Sequence, residues 1–559
     1  HARLVTNGLQ GIDANNQPIC RKSIVLVHNG IVVNVDELWE KNPHLERTSD
    51  VDSDFIAAIL HDYFEKGFDT HQAISETFDQ VYGETSIAYF TANKNELVLA
   101  TNTGSLYWCE DESGDTLFFA SEKMICEKLL DKVSAFSDFD VSDCKQISAN
   151  SGAVISLEDL SKQNFIFSKK LAAPAVESLL AIQKRIDDKS RRIDEARNQI
   201  KRCTKCLLPE TVPFIQFDKE GVCTGCSSYT PWQAKPKEDL VALLARYRSS
   251  DGSPDSIVAF SGGRDSSMGL HLMKKEMGMN PITFTYDWGM VTDLARRNQA
   301  RLCGKLGVEH IWVSANIKMK RANIRRNVAA WLKRPDLGLV PLFMAGDKQA
   351  LYYANKLMDE SKIPLMAFCA NHYEKTEFKT GFLGISSKKM TIHKPSSLPM
   401  VGKLSMLAKY GMSFMRNPAY FNRSMPDTLG AFFSFYAIKQ DYFSLFDYLP
   451  WDEKEIEKTL IEEYDWELSP DTDTSWRIGD GTAPFYNYIY YTVAGFTESD
   501  TFRSNQIREG VLSREEAMAL VDHENLPRWQ SIRDYLQMIN IDFDETIRTI
   551  DRIPKLYYN

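Results

Sequence analysis

The sequence predicts an α/β protein of three or four folded units, one of them built on a parallel sheet. Three observations predict it. From 255 to about 390, apolar runs at Ile257–Phe260, Ile282–Tyr286, His310–Ser314 and Pro364–Cys369 alternate with helix-like stretches, the pattern of a parallel sheet covered on both faces. Residues 1 to about 170 carry strand-like runs at Ser23–Val27, Thr85–Phe90, Glu96–Ala100, Thr116–Ala120 and Gly152–Ser156, with helical patterns near 54–66 and 71–81. That is an α+β domain rich in sheet. Residues 391–559 read as mostly helical and rich in aromatics, and a chain of 559 residues is too long for one core.

Apolar residues make up 43% of the chain and charged residues 25%, the balance of a soluble globular protein. A formal net charge of −10 argues against wholesale nucleic-acid binding, because gripping a phosphate backbone needs positive charge on the gripping face. No run approaches the roughly 18 apolar residues of a membrane helix, and no signal peptide is present, so a cytoplasmic protein without a membrane span is expected. The chain opens at His1-Ala2-Arg3-Leu4-Val5 without Met, and an upstream part is expected to be missing.

From Pro174 to Lys201 the composition turns charged, and Leu179, Ile186, Ile193 and Ile200 recur every seven residues with Ile182 and Ala196 between them. The repeat predicts one long amphipathic helix linking two domains; a dimerising coiled coil, and with it a homo-oligomer, is the other reading.

Ten cysteines do not form a disulfide framework, since six are scattered singly. The other four form Cys203-Thr204-Lys205-Cys206 and, sixteen residues later, Cys223-Thr224-Gly225-Cys226. Two such pairs at this separation match a small zinc ribbon whose four thiolates complete a tetrahedron and leave no open position, so the Zn²⁺ is expected to be structural. It would supply on the order of ten kcal/mol of folding energy. A redox dithiol and an iron–sulfur cluster are the competing readings.

The apolar run Ser256 to Phe260 is followed by Ser261-Gly262-Gly263-Arg264-Asp265-Ser266 and then by a helix-like stretch, Met268 to Met277. A strand, a glycine turn and a helix start make a phosphate site: glycines let the backbone approach an anion, and the helix N-terminus adds partial positive charge. The turn lacks the Gly-Lys-Ser/Thr ending of a γ-phosphate loop. It resembles the SGGxDS loop of the PP-loop (HUP-like) ATP pyrophosphatases. The resemblance implies cleavage of ATP to AMP and pyrophosphate, with Ser261, Gly262, Gly263, Arg264, Asp265 and Ser266 holding the pyrophosphate. Tyr286 and Asp287, at the end of the second strand, are expected near the nucleotide. Asp287 reads equally as a helix cap or a Mg²⁺ ligand. Asn371, Glu374 and Lys379 follow a later strand and are candidates to neutralise phosphate or position a substrate, or else are solvated loop charges.

Three N-terminal stretches fall in order: His1-Ala2-Arg3-Leu4-Val5-Thr6-Asn7-Gly8, then Val27-His28-Asn29-Gly30-Ile31-Val32-Val33-Asn34, then Val51-Asp52-Ser53-Asp54. They resemble the αββα glutaminase domain of class II (N-terminal-nucleophile, Ntn) amidotransferases. The resemblance implies that Arg3 and Thr6 bind glutamine, Arg3 through the α-carboxylate; that Asp52 takes its amino group; and that Asn29 with Gly30 stabilises the oxyanion. The family's nucleophile is a first-residue cysteine upstream of this motif, and none of the ten cysteines stands in its place. An isolated Asn-Gly pair would otherwise read as a turn.

The run Cys203 to Phe214, the run Thr285 to Asn298 and Phe502-Arg503-Ser504-Asn505-Gln506-Ile507-Arg508-Glu509-Gly510 are similar to the N-acetyl sugar amidotransferases, a resemblance running from about residue 203 to the C-terminus. Those enzymes convert an acetamido group on a sugar to an acetamidino group in surface-polysaccharide pathways. The full set of expectations is a glutaminase at 1–172, a helical linker at 173–202, a zinc ribbon at 203–230, a PP-loop domain at 231–390 and a helical substrate region at 391–559. Asn29, Gly30, Asp265 and Lys379 are the expected catalytic residues. The cofactors implied are ATP, Mg²⁺ and structural Zn²⁺, and the partners L-glutamine and a nucleotide-linked N-acetyl sugar. The rivals are an asparagine-synthetase-like ligase acting on a carboxylate, a tRNA thiolase, and a non-catalytic glutamine or nucleotide sensor.

Two further stretches stand out. From His310 to Pro335 there are seven basic residues and no acid: Lys318, Lys320, Arg321, Arg325, Arg326, Lys333 and Arg334. They read as a solvated helix face or as a cradle for a nucleotide-sugar diphosphate. Met400 to Met415 is apolar with two lysines and is expected to be a buried helix, a membrane-surface helix being the alternative.

Overall fold

A computed structural model describes residues 12–91, 94–111, 113–132, 144–167, 199–385, 400–438 and 442–557. Arg3, Thr6 and most of the expected linker helix lie outside the described residues. The chain divides into two compact units.

The first unit comprises His1–Ala173, Asp293–His310 and Glu463–Glu467. Its elements run β1 (Ile19–Arg21), β2 (Ile24–Val32), α1 (Val35–Lys41), α2 (Asp52–Glu65), α3 (Thr70–Gln80), β3 (Gly83–Thr91), β4 (Glu96–Thr101), β5 (Tyr107–Glu110), β6 (Leu117–Ala120), α4 (Lys123–Lys132), β7 (Lys145–Gln146), β8 (Ser151–Ser156) and β9 (Lys162–Ile166). Antiparallel pairing gives one sheet ordered β1-β2-β3-β4-β8-β9 and a second ordered β6-β5-β7. Side chains alternate across the first sheet as a pleat requires: Ile87, Tyr89, Val98 and Ala100 pack under α2 and α3, while Ala88, Leu97 and Leu99 meet Leu106, Leu117 and Ile147 of the second sheet region. With α4 packed on β5 and β6, the layers read α, β, β, α. α3 starts where it does because Asp69 accepts from the Gln72 N–H and Gln72 reaches back to the Asp69 N–H.

Residues 293–310 and 463–467 belong to this unit, not to the later domains expected from sequence. Asn298 exchanges two hydrogen bonds with the Glu467 backbone, at 3.0 and 2.8 Å, and the Gln146 side chain reaches the Ala300 carbonyl. Cysteine usage is also corrected, since Cys109 and Cys144 are joined in a disulfide with Cys126 alongside.

The second unit comprises Pro174–Thr292, Ile311–Glu462 and Leu468–Asn559. Its sheet is ordered β12-β11-β10-β13-β14, from β10 (Ser256–Ala259), β11 (Pro281–Asp287), β12 (His310–Ser314), β13 (Met366–Phe368) and β14 (Phe443–Ser444). β10 runs parallel to β11 and β13, and β13 to β14. The chain moves outward from β10 to β12, then returns to the other side of β10 for β13, so the segments after β10 and β13 diverge and leave a crevice at the carboxyl ends. The expected separation of a PP-loop domain from a helical C-terminal region does not hold. Phe284 and Trp331 share one core with Phe485, Tyr490 and Tyr535.

The helix Met400–Arg416 is not buried as expected. Met406 and Phe414 reach the core, whereas Met400, Val401 and Leu404 are 70%, 79% and 58% exposed. Among the described residues no helix is long and apolar enough to cross a membrane.

Candidate functional site

A cleft of about 350 Å³ opens at the carboxyl ends of β10, β11 and β13. Its floor is the turn after β10. Gly262 has φ +75°, a conformation that costs a side chain dearly, and Gly263 precedes the helix Arg264–His271. The hydroxyls of Ser261 and Ser266 lie 3.0 Å apart; Ser266 accepts from the Ser261 N–H, and Ser261 from the Gly263 N–H. The turn is thus fixed by its own serines.

Both charged residues of this turn line the cleft, and their side chains are also engaged with the surrounding protein. Arg264 is 3% exposed, donates to Glu453 at 2.5 Å and to Ser475 at 2.8 Å, and lies over the Trp451 ring. Its guanidinium anchors the turn, while the residue itself still lines the cleft. Asp265 accepts from the Asn371 amide at 2.6 Å and the Trp451 indole at 3.0 Å. Asn371 in turn caps the segment after β13, accepting from the N–H groups of Tyr373 and Glu374.

Tyr286 lines the cleft, stacked on Tyr353 at 4.8 Å. Asp287 does not, being fully buried; its carboxylate accepts from the Gly289 N–H at 2.8 Å, a local turn that caps no helix, since the next helix begins at Asp293. Lys379 lies outside the lining as well. It pairs with Glu498 at 2.5 Å and sits 4.0 Å from the centre of the Tyr486 ring. Burial would raise the Glu498 carboxyl, but Lys379 and Arg477 overcome this and hold it at about 2. The basic run 318–334 divides, with Lys318, Arg325 and Lys333 facing outward and Lys320 buried against Gln349 and Asp427. None of it lines this cleft.

Arg477 is the cation that sequence reasoning missed. It lines the cleft, faces Glu374 and Glu498 at 3.6 Å each, and has φ +54°, a strained backbone for a non-glycine residue. Asp347 and Asp480 also line the cleft, and burial raises the carboxyls of Glu374 and Asp480. Perturbed carboxyls beside a strained arginine in a cleft make this the candidate site. The signal in sequence was a lone arginine in Ser475-Trp476-Arg477-Ile478-Gly479-Asp480-Gly481, a turn-rich break between helical stretches.

In the first unit, Asn29 and Gly30 lie within β2 and not in a turn. Gly30 has φ +136°, and a Cβ there would fall 2.0 Å from the Glu84 carbonyl oxygen, so only glycine fits. Asn29 is exposed. Asp52 begins α2 and ties it to β2: one oxygen accepts from the Val32 N–H at 2.8 Å, the other from the Ser53 N–H at 3.0 Å and lies 3.7 Å from His28.

The four cysteines at 203, 206, 223 and 226 converge within 4.8 Å of one another, all buried. Sulfur separations of 3.9 Å (Cys203 to Cys226) and 3.7 Å (Cys206 to Cys223) match the edges of a tetrahedron with bonds of about 2.3 Å. The N–H groups of Lys205, Cys206 and Cys223 donate to the Cys203 sulfur, and Arg508 donates to three of the sulfurs. The donor set fits a metal ion bound by thiolates.

Comparison with known proteins bears on the N-terminal part. The family model described as a glutamine amidotransferase domain matches residues 1–127. A glutamine–fructose-6-phosphate aminotransferase of Zymomonas mobilis is 27% identical over 144 residues, 25% of this chain and 23% of that protein. One of Thermococcus kodakarensis is 30% identical over 125 residues, 20% of this chain and 21% of that protein. The chain thus spans about a quarter or less of the length of these relatives. The glutamine phosphoribosylpyrophosphate amidotransferase of B. subtilis, solved with ADP and GMP, aligns at 17% identity over 52% of this chain and 51% of that one, with a TM-score of 0.24. The chain carries a class II glutamine amidotransferase domain at its N-terminus.

Proposed function

We propose that the chain is an ATP-dependent amidotransferase that takes ammonia from L-glutamine and converts the acetamido group of a nucleotide-linked N-acetyl sugar to an acetamidino group for surface-polysaccharide synthesis in the cytoplasm. The observation that carries this reading is the cleft at the carboxyl ends of the parallel strands, with the glycine turn Ser261–Ser266 as its floor and Arg477 in its wall. The N-terminal glutamine amidotransferase domain supports the nitrogen source. The relatives matched there are named for transfer between glutamine and fructose-6-phosphate, and the shared stretch is the part this chain would use as its donor.

An amide oxygen is a poor leaving group and must be activated. In the proposed sequence the acetamido oxygen attacks the α-phosphorus of ATP, and pyrophosphate leaves with the electron pair of the bond it breaks. Ammonia then adds to the imidate carbon, the carbon–oxygen bond breaks, and AMP departs with the oxygen. The turn's backbone and the start of the helix Arg264–His271 would receive the pyrophosphate, and Arg477 would face its charge. Mg²⁺ would be held chiefly by the nucleotide's phosphates with Asp347 or Asp480. Cys203, Cys206, Cys223 and Cys226 would hold a structural Zn²⁺ that organises the fold around them.

On the donor side Asn29 and Gly30 would stabilise the oxyanion, Arg3 and Thr6 would bind glutamine, and Asp52 would take its amino group.

Incubation with ATP, ammonium and a panel of acceptors tests the synthetase half without the glutaminase. AMP and pyrophosphate formed with an acetamido nucleotide sugar are expected. AMP with aspartate would replace this reading by a carboxylate ligase, while ADP, or nucleotide binding without turnover, would overturn it.

A further inference from the structure

Between Glu377 and Asp427 the sequence contains no aspartate or glutamate and eight lysines and arginines, in a chain whose net charge is −10. The helix Met400–Arg416 lies in this stretch and leaves its apolar side chains in water: Met400 is 70% exposed, Val401 79%, Leu404 58%, Met412 45% and Met415 67%. Spacings of three, four and eight residues put these on one stripe, opposite Met406 and Phe414, which face the core. Lys409 and Arg416, two helical turns apart, flank one edge of the stripe. Beyond the helix Phe421 and Phe433 are exposed as well, and so is Arg423, which lies between them in sequence.

A stripe of this size is seldom left uncovered, and the charge beside it identifies what covers it. We propose that this face docks on the surface of an anionic phospholipid bilayer. The methionines, valine and leucine would enter the boundary between headgroups and acyl chains, while the exposed Arg416 and Arg423 would meet lipid phosphates. A nucleic acid would match the charges but leave the apolar stripe in water. A second copy of this chain would bring the same acid-free stretch, with its exposed arginines, against itself. The helix is too short and too charged to span, so it lies in the interface plane. The inference does not depend on the proposed reaction.

The full chain, incubated with vesicles of phosphatidylcholine alone or with roughly a third phosphatidylglycerol, is pelleted and the bound fraction measured. Binding to the anionic vesicles, weakening as salt rises and absent from the neutral ones, is the expected result. Leu404→Glu with Met415→Glu, both on the exposed stripe, is expected to abolish it. Arg416→Gln and Arg423→Gln are each expected to weaken it roughly fivefold. Failure of the wild type to pellet with anionic vesicles, or undiminished binding of the double glutamate variant, overturns the proposal. So does a lipid-free dimer that the same variant dissociates in sedimentation velocity, which would assign the face to a second copy.

Discussion

The guanidinium of Arg264 donates to the carboxylate of Glu453 at 2.5 Å, so the cation carried by the glycine turn is committed to the interior. Glu453 is shared with Arg503, which also pairs with Glu524. Arg264→Ala would leave buried acids short of a partner, and a loss of about 3 kcal/mol or more in urea denaturation is expected. Unchanged stability with a raised KM for ATP would instead give the side chain a phosphate contact.

Arg477 holds the opposite assignment, a cation facing the cleft on a strained backbone. Arg477→Gln is expected to lower the rate of AMP formation about a hundredfold, as losing a preorganised charge at a phosphoryl centre does. An unaltered rate would remove it from the reaction.

Gly30 and Gly67 make a matched pair. Both have positive φ, but a Cβ at Gly30 meets the Glu84 carbonyl at 2.0 Å while nothing lies within 4 Å of one at Gly67. Gly67→Ala is expected to cost about 1 kcal/mol. Gly30→Ala should cost several times more and displace β3, read as a much lower melting temperature.

Burial, and after it the nearby Glu309, pushes the Glu122 carboxyl up to about 7 from 4.5. A raised folded value favours the fold while the group is protonated, so its contribution is full below about 4.5 and is lost as pH rises through 7. Glu122→Gln is expected to stabilise the protein at pH 8 by on the order of 2 kcal/mol and to change little near pH 4.

The four-sulfur cluster predicts one zinc ion per chain by elemental mass spectrometry. Cys206→Ser, or a strong chelator, should release it and lower the melting temperature sharply. A chain without metal and with an unchanged melting curve would refute the ribbon.

The sequence was most legible where one local rule decides the outcome. Runs of β-branched and apolar residues placed β10 to β13 within two residues, and the paired cysteine spacing foretold four sulfurs meeting. It was least legible where long-range partners decide. Nothing near Arg264 announces that Glu453, 189 residues later, will claim it. Nothing around Asp287 announces that Gly289 will turn back onto its carboxylate, six residues short of the next helix. Met400 to Met415 looked like core because apolar periodicity records that a face is apolar, not which surface it meets.

Arg508 reaches three of the cysteine sulfurs across 282 to 302 residues of chain. During synthesis the four thiols emerge together, long before the guanidinium that will offset their charge. An ion bound at that stage would be kept by sulfur and local amides alone, so the order in which the ribosome delivers these residues would separate loading of the cluster from the later arrival of Arg508.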